Sequence, residues 1–548
     1  MKTRSGSRKA IIKIISSNQR DGELDVAPRK KTRHYLAIDF RSSHIKVAVG
    51  PATGAPLAIA RSPVAYFKPE GGPDTAVEFD PALALRRIVS TIKSALSESG
   101  LAPVDISGIG VTSQHQGIVL LDLEGRPLYG GPDRDMRAVF EGAEIDSNTM
   151  VDVWELTGHG PGVLTAWARL KWFAANAPDI YGRTRTVCAI ADWIVLELTG
   201  ELLMEQSLAV ESGLGLVASG QPARALAPAL NLGDITLPAT CPAGTVVGKL
   251  KRNTAKRLGL PTGIPVVACG PDTQSGLLGL GAQLPNAVGI VSGWSTACQR
   301  VTERPVFDDT RAMWTGRHVI ENRWVLEGNA GETGRTYQWL LSLLHGLPDN
   351  AAENSPNKKH GTTKLTTADV MDTIDDAIAK IEPGATGISS FLGPSFVHMA
   401  NVGMRTGGLL FPVPISFEPP DRIGIARAAL ENFAFGIRHN LERLDSFRGP
   451  ALSIAIGGGM VKTKAFRSIL AGVLDCEIGV AESGETTSLG ALSQIAAGTG
   501  NGPSIAEYAV IRATELSKYE PDAAHAGVYE SMYDEWRHRE RLLASFEV

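Results

Sequence analysis

Cysteine is scarce: five residues in 548, with no C-x-x-C pair and no zinc-ligand spacing. Neither a disulfide framework nor a structural metal site is indicated, and a reducing, cytoplasmic setting is expected. Long apolar runs are missing as well. Gly, Pro or a charge interrupts each one before it reaches the roughly 20 residues of a spanning helix, so no membrane partner is expected. Charge of one sign is not in excess: 54 Lys and Arg face 58 Asp and Glu, a net −4. No electrostatic ground exists for a nucleic-acid partner, and an anionic small ligand needs a local site. The glycine-rich turn at Gly457-Gly458-Gly459 satisfies neither G-x-x-x-x-G-K-[ST] nor G-x-G-x-x-G, which weakens P-loop and dinucleotide readings.

What is present is enough apolar residue, 43%, to build real cores, in a 58.1 kDa chain longer than one core usually organises. Two domains are expected. Residues 1–33 stand apart, with ten Lys or Arg and three acids around Ala10-Ile11-Ile12-Lys13-Ile14-Ile15, and read as a basic, solvated tail. Asp21, Glu23 and Asp25 argue against a transit peptide. From Tyr35 onward short β-rich runs alternate with amphipathic stretches, an α/β texture. Leu36–Asp39 and Lys46–Val49 read as a hairpin, 80–99 as a helix, Ile109–Ser113 and Gly117–Asp122 as strands, and 163–200 as mostly helical. Val288–Val291 and Leu452–Ile456 repeat this grammar in the second half. The polar segment 348–365 reads as a surface loop, and the last forty residues as a helical cap.

Several segments have the composition of phosphoryl-transfer chemistry, which is mostly positioning and charge neutralisation. Asp39 ends a strand and is followed by Ser42, Ser43 and Lys46. It suits a water-mediated Mg²⁺ site beside phosphate-binding hydroxyls, or an ordinary turn aspartate. Asp272 stands between Pro265–Cys269 and a small-residue helix, as an N-cap, a general base, or both. Gly457-Gly458-Gly459 lets backbone approach a ligand closely, or makes a tight turn. Thr112-Ser113-Gln114-His115-Gln116-Gly117 suits reading of polyol hydroxyls, or a solvated hairpin. Asp133-Arg134-Asp135-Met136-Arg137 adds charges that either clamp the same ligand or form a surface cluster.

Taken in order, these segments resemble the FGGY family of carbohydrate kinases over roughly residues 34–510. Leu36–Lys46 resembles the family's first phosphate motif, and Val111–Asp122 with Asp135-Met136-Arg137-Ala138 its sugar-contacting segment. Gly270-Pro271-Asp272 stands at the place of its catalytic aspartate, and Val291–Thr296 resembles its second phosphate motif. Ile456–Gly459 with Phe466–Ala471, then Glu485–Leu492, resembles its adenosine region. The resemblance implies two actin-like (ribonuclease H-like) α/β domains with a cleft between them. These are a sugar-binding domain over 34–283, an ATP-binding domain over 284–510 and a helical extension over 511–548. It implies Asp272 as general base and Mg²⁺ held near Asp39 and Asp272. ATP is then bound through Asp39, Ser42, Ser43, Lys46, Gly293, Ser295, Thr296, Gly457, Gly458 and Gly459. The acceptor is bound through Gln114, His115, Gln116, Asp135, Arg137 and Gln274.

The expected partner is a small sugar, ketose or polyol, and a homodimer is compatible with the sequence. The Asp135/Arg137 pair and Asp272 resemble xylulose kinases, whereas Thr112-Ser113, Asp272-x-Gln274 and Leu278-Gly279-Leu280-Gly281 resemble autoinducer-2 kinases, and both stay open. Arg41 and Trp294 stand where the family has small residues against phosphate, and the usual Gly-Glu-Arg-x-Pro stretch is replaced around Gly393–His398. These departures make a sugar or nucleotide sensor without turnover the alternative.

Overall fold

Tyr35–Phe40 is an apolar run broken by one aspartate, and it forms β1 (His34–Phe40), buried along nearly its whole length as the middle of a sheet requires. β2 (His44–Gly50) returns antiparallel and β3 (Ala58–Pro63) pairs antiparallel with β2. The chain then enters α1 (Pro81–Ser99), which the Asp80 side chain caps by accepting the N–H groups of Ala82 and Leu83, and which Gly100 ends in the left-handed region, φ 67°. Ala84, Ile88, Ile92, Ala95 and Leu96 recur at helical spacing and bury α1 in the core beneath this sheet. β4 (Ile106–Ser113) runs parallel to β1.

The principal elements that follow are β5 (Ile118–Leu121), β6 (Pro127–Gly131), α2 (Ala166–Asn176), β7 (Thr186–Ala189), α3 (Ile190–Thr199), α4 (Gln206–Glu211), β8 (Val246–Lys249), β9 (Pro265–Ala268) and α5 (Asp272–Gly279). The six-stranded sheet has the order β8-β9-β4-β1-β2-β3, while β6-β5-β7 form a separate small sheet.

The second half is built the same way. β10 (Ala287–Ser292), β11 (Thr296–Thr302), β12 (Trp314–Arg317) and β13 (Trp324–Asn329) precede α6 (Thr333–His345) and the long α7 (Arg422–Arg448). β14 (Ser453–Gly457), α8 (Lys464–Leu474), β15 (Ile478–Val480), α9 (Thr486–Gly498), α10 (Ile505–Thr514), β16 (Ser517–Tyr519) and α11 (Ala526–Ala544) complete it. Its seven-stranded sheet has the order β12-β13-β11-β10-β14-β15-β16. In both sheets an antiparallel triple (β3-β2-β1, β13-β11-β10) continues through two parallel pairings (β1-β4-β9, β10-β14-β15). α11 buries Tyr529, Tyr533 and Trp536 in the second core, with Tyr529 against Gly472 of α8.

α9 joins the halves. Ala491, Leu492, Ile495 and Ala496 pack on Tyr35, Ala37, Val267 and Cys269 of the first sheet. α9 also crosses α5 so closely that a Cβ on Gly490 would stand 1.8 Å from the Ser275 carbonyl oxygen, and one on Gly279 2.0 Å from that of Thr486.

This computed structural model describes residues 32–148, 150–345, 367–384, 387–393, 395–401, 406–414 and 419–545. Residues 1–31 of the basic tail and the proposed loop at 348–365 lie outside the described residues. The run 163–200 is mostly helical, as read, and also holds the strand β7, whose four residues are too few to show a period. Two local alternatives are corrected. Residues 112–117 do not make a hairpin, because β4 and β5 belong to different sheets. Asp272 is the first residue of α5, after Pro271, and not its N-cap. Among the described residues no helix is long and apolar enough to cross a membrane.

Candidate active site

The β1–β2 turn concentrates charge because strand pairing sets Asp39 directly opposite Lys46. Asp39 Oδ2 accepts from Arg41 Nε at 2.6 Å and lies 3.3 Å from Lys46 Nζ, while Oδ1 is buried without a partner. Burial pushes this carboxyl up, but Arg41 and Lys46 outweigh burial and hold it below the usual range. Lys46 reaches on to Glu485, 3.0 Å away, just before α9. Glu485 also meets Arg61 at 2.6 Å and Lys462 at 3.5 Å. Against the effect of burial, Lys46 and Arg61 bring the Glu485 pKa down to about 2. Ser42 donates to Asp133 Oδ2 at 2.5 Å. With its nitrogen turned towards them, the Gln114 amide donates to Ser42 Oγ at 2.9 Å and to Asp133 Oδ1 at 2.7 Å. Ser43 is exposed, with Oγ 2.8 Å from His44 Nδ1.

Asp272 faces this turn from α5. Burial pushes its pKa up to about 6, Arg41 and His115 pull it back, and Asp39 and Asp133 add to the rise. One half-buried carboxyl therefore feels both the Asp39–Arg41 turn and the polar Gln114–Gln116 segment. Its backbone carbonyl accepts from Thr487 Oγ1 at 2.8 Å. The neighbouring Thr486 lies against Gly457, where a Cβ would come within 2.2 Å of Thr486 Cγ2. Gly458 is left-handed, φ 99°, and a Cβ there would stand 2.3 Å from the Ser292 carbonyl oxygen. Only glycine lets the two turns touch in this way.

Gly459 and Gly293 open onto free space, the clearance a backbone N–H cradle needs. Beside them the Ser292, Thr296 and Thr333 hydroxyls form a chain, 2.6 Å from Ser292 to Thr296 and 2.7 Å from Thr296 to Thr333. Thr296 is fully buried and Ser295 half-buried. Trp294 is 44% exposed; its indole N–H donates to Glu332 at 3.4 Å and its ring faces Arg335, so its bulk does not fill the turn.

On the acceptor side His115 is half-buried, edge-on to Trp314, with Nδ1 unpartnered. Burial lowers its pKa, but Glu211, Asp272 and Glu327 outweigh that and raise it. Gln116 adopts φ 63° and its carbonyl accepts from the buried Arg169. Gln274 donates to Glu211 at 2.6 Å. Asp135 and Arg137 are not a surface cluster: both are buried, and Arg137 Nε donates to Asp135 at 2.8 Å and Nη2 to Glu78 at 2.8 Å. Arg137 also lies over Tyr129, Trp172 and Phe173.

It is Asp133, two residues earlier, that meets Ser42 and Gln114, with the buried Tyr66 hydroxyl close by. Asp133 lies in the charged stretch read as a possible ligand clamp, though Asp135 and Arg137 are the residues singled out there; Tyr66, Glu211, His159 and Glu327 escaped the sequence reading, since none sits in a recognisable motif. Glu485 lies within a quoted motif, yet its role as a charge hub depends on Arg61 of β3 and on Lys462 from the short helical turn after Gly458. Among the described residues no three His, Cys, Asp or Glu side chains converge into a metal cage. The unpartnered Asp39 Oδ1 with Asp272 nearby fits Mg²⁺, which keeps most of its waters and takes one or two carboxylates with substrate phosphates.

The N-terminal domain of the FGGY family of carbohydrate kinases matches residues 34–279, and the family's C-terminal domain matches residues 288–498. YoaC of Bacillus subtilis (strain 168) is 30% identical over 454 residues, 83% of this chain and 87% of that protein. The autoinducer-2 kinase of Salmonella typhimurium (strain LT2) is 26% identical over 524 residues, 92% of this chain and 93% of the relative. The crystal structure of xylulose kinase from Rhodospirillum rubrum superposes with a TM-score of 0.77 at 23% identity, covering 94% of this chain and 99% of that one. The fold is thus the two-domain, actin-like fold of these kinases. With both family domains matched in order along most of its length, the chain belongs to the FGGY family of carbohydrate kinases, enzymes that phosphorylate sugars.

Proposed function

We propose that this carbohydrate kinase transfers the terminal phosphoryl group of ATP to a hydroxyl of a small sugar, ketose or polyol-like acceptor, xylulose-like or autoinducer-2-like, with Asp272 as the general base. The observation that carries this reading is the position of Asp272: one carboxyl, lifted to about 6, facing the Asp39–Arg41 turn, the His115–Asp133 side and, through Thr487 and Thr486, the glycine turn. A base with a pKa just below neutrality is ionised at pH 7 and strong enough to take a proton as the acceptor oxygen bonds to phosphorus.

Each part of the chain has a task in this scheme. Residues 34–283 hold the acceptor, 284–510 the nucleotide, and 511–548 brace the second half. Gln114, His115, Gln116, Gln274 and Asp133 orient the acceptor, while Asp135 and Arg137 support them from behind. Ser42, Ser43, Lys46 and Arg41 meet the transferring phosphate from one side. Gly293, Ser295, Thr296 and Gly457–Gly459 meet the nucleotide from the other. Arg41 and Lys46 supply positive charge where negative charge collects in the transition state. Asp39 and Asp272 would hold Mg²⁺, whose contribution is to neutralise phosphate charge. Closure of the halves would exclude water from the transfer.

The test is ADP release with ATP and Mg²⁺ over a panel of ketoses, polyols and autoinducer-2 precursors. Acceptor-dependent release is expected with at least one. Asp272→Asn should lower it by roughly 10²–10⁴-fold with the circular dichroism spectrum unchanged. Full turnover in that variant would remove the base assignment, and silence across the whole panel would favour the sensor reading.

A further inference from the structure

A single line of polar contacts runs from the interior of the first half to the side chain next to Asp272. His159, in the segment before α2, has Nδ1 3.0 Å from the Thr157 carbonyl oxygen and Nε2 2.7 Å from Glu211 Oε2. The other oxygen of Glu211, Oε1, accepts from Gln274 Nε2 at 2.6 Å, and Gln274 Oε1 accepts from the Thr273 hydroxyl. The second half clamps the far end of this line. The Trp314 ring of β12 lies 5.3 Å from that of His159, its indole N–H donates to the Gly160 carbonyl at 2.6 Å, and Gly316 leaves no room for a Cβ against Glu211 Oε1. His159 and Glu211 are 2% exposed and Gln274 is sealed, so Thr273, half-buried, is the member that a ligand can reach. It follows Asp272 directly at the start of α5, and its N–H donates to Asp272 Oδ1 at 2.9 Å.

The chemistry of each link fixes its direction. A carbonyl only accepts, so His159 Nδ1 carries a hydrogen, and a bare Nε2 against the carboxylate would set lone pair against lone pair. A second proton therefore lies between His159 and Glu211. Burial opposes both charges, yet Glu211 raises the His159 pKa and His159 lowers that of Glu211, so the pair is imidazolium and carboxylate. Glu211 Oε1 then accepts, and Gln274 has to turn its NH₂ group to it and its oxygen to Thr273. Thr273 spends its only hydrogen on that oxygen and offers the site nothing but lone pairs. We propose that Glu211 and His159 are positioning residues that lock the Gln274 amide and so make Thr273 a hydrogen-bond acceptor beside the general base. The phosphorylated molecule must then present a second hydroxyl next to the reacting one. The proposal rests on the kinase reading above for what occupies the site. Ionised Asp272 likewise only accepts, so the reacting hydroxyl points its hydrogen at Asp272 and the neighbouring hydroxyl points its own at Thr273. A ketone or carboxylate in the second place sets oxygen against oxygen, and a methylene leaves Thr273 without a partner. The substrate class is a vicinal diol.

The experiment measures Kd by calorimetry on the full-length protein without ATP, first for D-xylulose and the rest of the panel, then for the mono-deoxy analogues of the tightest binder. One analogue should bind about ten- to a hundredfold more weakly than its parent, and Thr273→Val should bring that penalty below about threefold. Glu211→Leu frees the Gln274 amide to turn and should erase the same penalty. Glu211→Gln should keep it, because a neutral His159 accepts from the introduced amide nitrogen while the amide oxygen still takes the Gln274 bond. A penalty that persists in T273V or E211L, or that disappears in E211Q, overturns the proposal. If E211L fails to fold, T273V and E211Q decide it. A second readout needs no ligand: by ¹⁵N NMR at pH 7 both His159 ring nitrogens should be protonated in the free protein, and only Nδ1 in E211Q. A ring that is alike in the two proteins overturns the proposal. An absence of ADP release with the deoxy pattern intact refutes the kinase reading alone and upholds the positioning role, whereas a panel in which nothing binds overturns both.

Discussion

Asp272 carries a charge that the free protein does not favour. Its folded pKa, about 6, lies above the 3.8 of an ordinary aspartate, so the folded state holds the proton more tightly than the unfolded chain does. The contribution is most favourable below 3.8 and is lost as pH rises through about 6. Asp272→Asn is therefore expected to match the unmodified protein near pH 3.5 and to be the more stable above pH 6, by about 1–3 kcal/mol. Urea unfolding at several pH values checks this, and a less stable variant at pH 8 would show that Arg41 and His115 outweigh burial. Activity at saturating acceptor should fall on the acid side of about pH 6.

Glu485 has the opposite sign. Its pKa, about 2 against 4.5, gives stability that is present above pH 4.5 and lost as pH falls towards 2. Glu485→Gln leaves Lys46, Arg61 and Lys462 facing one another and should destabilise by about 3 kcal/mol at pH 7, with the gap closing between pH 4.5 and 2. Residues such as Asp39 and Asp272 are legible because strand ends and adjacent glycines mark them locally. Glu211 and Glu327 are not. Each is an unremarkable glutamate in its own segment, and only the fold sets Glu211 against His159 and Gln274, and Glu327 against Gln299.

At the level of elements, the contact of α5 with α9 is held by small residues. Gly490→Ala would drive a methyl group into the Ser275 carbonyl, and the helices would have to separate. A loss of about 1–3 kcal/mol is expected, together with a fall in kcat, because Asp272 and Thr487 lie at the adjoining helix ends and are bonded to each other. Melting curves and initial rates check both parts; unchanged kcat in a destabilised variant would separate the crossing from the chemistry. Most elements could be read from periodicity: α1 from its buried spacing, β1 and β2 from their apolar runs. Where the reading failed, the cause was local ambiguity. β4 and β5 are close in sequence, and nothing local indicates that they join different sheets. β7 is a four-residue strand set between helices.

At the level of the whole molecule, the halves share a topology and, in the proposed function, divide one site between them, so ligands that touch both should tighten the protein as a unit. Acceptor and a non-hydrolysable ATP analogue together, each at about 100 times Kd, should raise stability by at least the roughly 2.7 kcal/mol that one saturating ligand supplies. A thermal-shift series with each ligand alone and then with both tests this, and no shift with either would argue against a site at the joint. Two similar β-rich halves were visible in the sequence; the antiparallel-then-parallel order of their sheets was not, since strand direction is set by distant pairings. The way α9 leaves its own half to lie on the first sheet was not, because an evenly apolar helix does not say which surface covers it.

The α5–α9 contact also leaves the halves no room to approach further where these helices cross. Backbone rests on backbone at Gly279 and Gly490, and the Gln494 and Thr487 side chains bond across the same crossing to Ser275 Oγ and the Asp272 carbonyl. Larger residues should therefore be tolerated poorly at Gly279 and Gly490, and a change in how the halves meet is easier to obtain where a single side chain spans them, as Trp314 does in donating to the Gly160 carbonyl.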